Sequence, residues 1–145
     1  MAADPWVFYD KFVDSFSKAT IDLDSGTYKV ALFLSGYVPD YAVDELYSAL
    51  SDEVAEAFGY LTGGLEITQT VTTVAGVMTF DSADPEWAAS GGSLVTRRAV
   101  LYETVTSKLV AASLLDNTPG DVTVTTGNSL RLVLPATGYF QLAEV

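Results

Sequence analysis

The chain contains no cysteine and no histidine among its 145 residues. Without cysteine it has no disulfides, no thiolate metal ligands and no thiol nucleophile. Without histidine, the usual general base, the Ser-His-Asp triad and the commonest metal ligand are all missing. Positive charge is scarce: Lys+Arg total 7 against Asp+Glu 19, a formal net charge of −12. The cations are scattered as Lys11, Lys18, Lys29, Arg97, Arg98, Lys108 and Arg131. Phosphate binding needs clustered Lys and Arg, so no nucleic acid and no membrane surface is expected as a partner. Long apolar runs are also missing; Val30-Ala31-Leu32-Phe33-Leu34 is too short to span a bilayer. Met1-Ala2-Ala3-Asp4 lacks the basic and apolar regions of a secretory signal peptide, so synthesis in a cytoplasm without export is expected.

What is present is a core. Apolar residues make up 49% and charged residues 18%, which excludes a disordered acidic tail. The length predicts a single domain, 1–145, burying roughly 68–70% of its unfolded surface. Asp4-Pro5 is a helix-start signal, because Asp accepts from free N–H groups and Pro suits the first helical position. Placed at helical steps, Trp6, Phe8, Tyr9, Phe12, Val13 and Phe16 fall on one arc. The pattern predicts an amphipathic N-terminal helix within residues 1–19, with Asp14 and Lys18 as an i,i+4 pair. Thr27–Leu34 is apolar on both faces and predicts an interior strand. Val43, Leu46, Tyr47 and Leu50 form a helical stripe, so a short helix is expected near 43–50.

From Leu65 onward the pattern is β. Leu65–Val74 and Val77–Phe80 flank Ala75-Gly76 as a hairpin, and Asp81–Trp87 reads as irregular. A long strand is expected over Ser93–Glu103 and an apolar run over Lys108–Leu115. Asn117-Thr118-Pro119-Gly120 reads as a turn. Val122–Val124 and Leu130–Leu134 read as a hairpin around Gly127-Asn128, and Tyr139–Leu142 as the last strand. The expected fold is mainly β over 27–145: an antiparallel sandwich or small barrel with the N-terminal helix packed on it. Charge is uneven: residues 1–58 hold 11 acids and 3 bases (−8), and residues 59–145 hold 8 acids and 4 bases (−4).

No catalytic, cofactor or metal residue is assigned. Asp22-x-Asp24 invites a calcium reading, but an EF-hand loop needs Gly at position 6 and Glu at position 12. Those places hold Thr27 and Phe33, so a plain turn is expected. Asp81, Asp84 and Glu86 form a second acidic cluster, for which a solvated Asp-Pro turn and a hard-cation site both stay open. Gly59–Gly64 lacks the following Lys-Ser/Thr of a phosphate loop. Arg97-Arg98 lies in a predicted strand, where adjacent side chains point to opposite faces. At least one arginine then faces inward, an end of the sheet or a partner, the alternative being two solvated ends of an edge strand. The candidate interface residues are Trp6, Phe8, Trp87, Arg97 and Arg98.

Several segments, taken in order, resemble small virion structural proteins of tailed bacteriophages. They are Trp6-Val7-Phe8-Tyr9-Asp10-Lys11-Phe12, Thr20–Asp24 and Thr27–Phe33. Asp52-Glu53-Val54-Ala55, Gly59–Gly64, Thr79-Phe80-Asp81, Asp84-Pro85-x-Trp87 and Ala99–Tyr102 continue the series across nearly the whole chain. The resemblance implies binding and assembly in a virion rather than catalysis. It implies a capsid decoration or cement protein, a homo-oligomer with a trimer favoured, binding the major capsid protein or other virion proteins. A tail, baseplate or fibre-adaptor component is the alternative, and a carbohydrate-binding module presenting Trp87 is a third. The acidic surface favours the outside of a DNA-filled capsid, because like charge repels.

Overall fold

Tyr28–Phe33 is covered on both faces, which is why its sequence is apolar on both. The computed structural model describes residues 3–118 and 120–143. In chain order the elements begin with β1 (Val7–Phe8), α1 (Asp10–Ser17), β2 (Tyr28–Phe33), β3 (Leu65–Ile67) and β4 (Gln69–Val74). They continue with β5 (Val77–Ser82), β6 (Glu86–Ala88), β7 (Leu94–Thr96) and β8 (Arg98–Glu103). The last are β9 (Leu109–Leu114), β10 (Val122–Val124), β11 (Ser129–Arg131) and β12 (Phe140–Ala143). The main sheet runs β1-β9-β8-β2-β3; the smaller ones are β10-β7, β11-β6 and β12-β5-β4, and all pairings are antiparallel. The fold is mainly β and sandwich-like, with one short N-terminal helix.

One face of the main sheet places Tyr28, Val30, Leu32 and Leu101 against Phe80, Trp87, Leu94, Leu130 and Phe140 of the smaller sheets. The other face places Ala31, Phe33, Val100 and Tyr102 under the segment that carries Tyr37, Tyr41, Tyr47 and Leu50. Each fully buried Val, Leu or Phe contributes about 1.5–3 kcal/mol, so the two-sided sheet dominates the stability.

The structure shortens the N-terminal helix to Asp10–Ser17, so residues 6–8 do not belong to it. Val7 pairs with Ala112 and Phe8 with Ala111, while the Asp4 N–H donates to the Leu114 carbonyl at 2.8 Å. The open edge of β9 satisfies these backbone groups, and the i,i+2 spacing of Trp6 and Phe8 serves a strand as well as a helical arc. Within α1, Phe12 and Ser15 are buried but Val13 and Phe16 are exposed. The expected Asp14–Lys18 pair forms at 2.8 Å.

The helix expected near 43–50 is a single 3-10 turn, Tyr47–Ala49. Residues 45–47 spend their backbone elsewhere: Tyr47 N–H donates to Ser107 O at 2.7 Å and Leu109 N–H to Glu45 O at 2.9 Å. The strand expected over Ser93–Glu103 breaks at Arg97, where the chain passes from β7 in a small sheet to β8 in the main one. Leu65–Val74 likewise divides at Thr68 between two sheets. Asp81–Trp87 is less irregular than expected, since Glu86–Ala88 forms β6. Val122–Val124 and Leu130–Leu134 are not hairpin partners: β10 pairs with β7, and β11 with β6. The Ala75-Gly76 hairpin is present. Asn117 and Thr118 form a turn held by Asp116 Oδ1, and Pro119 of that predicted turn lies outside the described residues.

Candidate functional site

The N-terminal segment that joins β9 also makes one wall of an open groove of about 710 Å³. Asp4 is tied down twice, by its N–H on Leu114 O and by Ser113 Oγ donating to Asp4 O at 2.7 Å. This sets Trp6 beside the C-terminal segment, edge-on to Tyr139 with ring centroids 5.0 Å apart. The opposite wall is Leu130–Leu134, and Leu115 and Val122 also line the groove.

Asp84 shapes that opposite wall. Its carboxylate accepts from the Arg131 guanidinium, at 2.9 Å for the closer nitrogen, and from Leu134 N–H at 2.9 Å. Leu132 N–H donates to Pro85 O at 2.9 Å. Gly138 turns the chain back toward Tyr139 at φ +63, and a Cβ there would meet Phe80 O at 2.3 Å. Only glycine fits such a position. The Tyr139 hydroxyl sits 3.2 Å from Ser82 Oγ, and burial raises its pKa far above the ordinary tyrosine value.

Three of the polar side chains along the groove are already engaged. Arg131 holds Asp84, Ser113 holds Asp4 O, and Tyr139 meets Ser82. What the groove offers an occupant is mainly apolar surface and shape, with Val133 76% exposed on its rim and Asp4, Trp6 and Thr137 adding polar groups to the lining.

Of the residues predicted from sequence, Trp6 lines this groove and Phe8 lies beside it, half-buried against Phe140 at 4.8 Å. Trp87 does not join them: it is 4% exposed, inside the core opposite Leu130 on β11, and presents no surface to a partner. Arg97, at the break between β7 and β8, and Arg98, the first residue of β8, take different partners. Arg97 Nε binds Asp121 Oδ1 at 2.8 Å, and Arg98 Nη1 donates to Tyr37 O at 2.7 Å. Both are half-buried and occupied within the chain.

The acidic motifs resolve into local structure. Asp22 Oδ1 accepts the Asp24 and Ser25 N–H groups, the bonding of an Asx turn. Asp81 accepts from Ser82 N–H, Asp84 serves the groove wall, and Glu86 is exposed opposite Arg131. Among the described residues no group of three or more acidic side chains is arranged to hold a metal ion.

Sequence reasoning missed two tyrosine–carboxylate networks. Glu53 accepts from Tyr47 and Tyr60 hydroxyls at 2.5 and 2.6 Å and from Gly63 N–H at 2.7 Å. Tyr47 stacks on Tyr102 at 4.0 Å, and Tyr102 donates to Gly63 O at 2.8 Å. Tyr9 and Tyr37 hydroxyls meet at 2.7 Å, and Tyr37 donates to Asp44 at 3.0 Å. Burial raises the pKa of Tyr9, Tyr37, Tyr47 and Tyr60, and pushes Tyr102 up to about 12. These networks bind the segment carrying Tyr37, Tyr41, Tyr47 and Leu50 to the second face of the main sheet, and through Glu53 they reach Tyr60, which packs with the first-face core. The signal for them was the density of tyrosines around Asp44 and Glu53, which a helical-stripe search overlooks. Compared with protein-family models, curated proteins and solved structures, the chain shows no significant match.

Proposed function

We propose that this chain is a virion structural protein of a tailed bacteriophage, a decoration protein that binds the outer capsid surface and stabilises the shell. The observation that carries the reading is the groove beside Trp6, a recess lined mostly by apolar side chains. Its occupant is an extended apolar segment of the major capsid protein. A recess of this kind gains affinity from burying apolar surface, which is the energetics of assembly. The phage-like segments named above and the net charge of −12 support a position outside the packaged DNA. Burial of Trp87 counts against the carbohydrate-binding reading, which needed that ring on a flat exposed face.

Quantitative mass spectrometry of the virion tests the proposal. A copy number equal to that of the capsid subunits, or a simple fraction of it, is expected. A copy number equal to one ring or fibre set would move the protein to the tail and end the decoration reading.

A further inference from the structure

Among the described residues, the free edge of β4 is longer than the other free strand edges. β4 pairs only with β5 among the described residues, over six uninterrupted positions from Gln69–Ser82 to Val74–Val77. It contains no proline, no bulge and no charge, and the sequence from Ile67 to Phe80 carries no ionisable side chain. Natural proteins protect such edges with charges, prolines, bulges or brevity. The other edges here follow that rule. Among the described residues β1 has two residues, β3, β6, β7, β10 and β11 have three each, and β12 has four.

The geometry of the edge follows from its hairpin. Ala75 and Gly76 both have positive φ, as a two-residue primed turn requires. Such a turn makes Val74 and Val77 a hydrogen-bonded pair, and by alternation Thr72–Thr79 and Thr70–Asp81 as well. Gln69, Val71 and Thr73 therefore direct their N–H and C=O groups to the open side. The exposed side chains Thr70, Thr72 and Val74 share one face.

We propose that β4 is a self-association surface that pairs antiparallel with β4 of a second copy. The two-fold axis passes at Val71, so Val71 faces Val71 and Gln69 faces Thr73 of the partner copy, each pair exchanging both N–H···O bonds. The two three-stranded sheets then join as one continuous sheet, β12-β5-β4 against β4-β5-β12. Charge selects this occupant. Two molecules of charge −12 repel over most of their surfaces, whereas β4 brings no charged side chain of its own to the contact; the neighbouring carboxylates are Asp81, paired with Thr70, and Asp24, in the loop held by Gln69. The resulting symmetry is two-fold, in place of the trimer implied by the family resemblance. The inference does not depend on the capsid reading.

Sedimentation velocity across a concentration series tests it on the full chain. A species of twice the 15.4 kDa chain mass is expected, strengthening with added salt. In the proposed register Thr72 lies opposite Thr70 of the second copy. T70K/T72K then sets lysines opposite lysines and should return the monomer, whereas T70K/T72E sets opposite charges together and should retain the dimer. Circular dichroism establishes that both variants are folded. Hydrogen exchange on the unmodified chain gives an independent reading: the amides of Gln69, Val71 and Thr73 should gain protection as concentration rises. A monomer at every concentration, a trimer, a dimer indifferent to T70K/T72K, or unprotected amides at those three positions would each overturn the proposal.

Discussion

Glu53 is the residue whose removal should cost the fold most for its degree of exposure. It is half-buried, yet it accepts hydrogen bonds from Tyr47, Tyr60 and the backbone of Gly63. Replacement by alanine leaves Tyr47, itself half-buried, near enough to solvent to find water. Tyr60 and Gly63 are buried, and each is left with an unsatisfied donor at about 1–3 kcal/mol. Glu53→Ala should therefore destabilise by about 2–6 kcal/mol, with about 3 the central expectation. Glu53→Gln keeps an oxygen for Tyr60 and Gly63, and Tyr47 can turn its hydroxyl to accept from the new amide. Its cost should stay near 1 kcal/mol, the loss of charge assistance. Urea denaturation followed by circular dichroism measures both. In melting temperature the alanine variant should fall by roughly 6–12 °C and the glutamine variant by a few degrees. An alanine variant within about 0.5 kcal/mol of the parent would refute the claim that the Glu53 network holds residues 47–63 on the sheet.

Val133→Asp places a charge on an exposed groove rim, so capsid binding should weaken at least tenfold in a co-sedimentation assay while the melting temperature stays unchanged. Gly64→Ala and Gly76→Ala share φ +80 but differ in surroundings: a Cβ at 64 would lie 2.0 Å from Val30 O, whereas one at 76 meets nothing within 4 Å. Thermal melts should show a loss of about 1 kcal/mol for Gly76→Ala and above about 3 kcal/mol for Gly64→Ala. The buried tyrosines titrate higher in the folded chain than their ordinary 10.0. The unfolded chain releases their protons first, so this stabilisation is complete below pH 10.0 and is lost as pH rises above it. An absorbance titration should show tyrosinate from Tyr9 and Tyr60 appearing together with unfolding; their ionisation in a folded chain would contradict the burial argument.

The hairpin at Ala75-Gly76, the Asx turn at Asp22 and the interior position of β2 were legible in the sequence because neighbours a few residues apart determine them. A turn needs only its own φ angles, and a strand apolar on both faces needs cover on both. The absence of histidine and cysteine likewise narrowed the chemistry before any fold was known. Three decisions belonged to the tertiary structure alone. Trp6–Phe8 fits a helical arc as well as a strand, and the open edge of β9 supplied the backbone partners that chose the strand. Tyr47 and Leu50 fit a helical stripe, and Glu53 together with Ser107 drew that segment into a different path. β10 and β11 looked like each other's partners, and β7 and β6, distant in sequence, took them instead. The groove beside Trp6 arises from all of these long-range pairings together. Local patterning specifies which residues seek cover, but the hydrogen-bonding partners that provide it are chosen among strands tens of residues away.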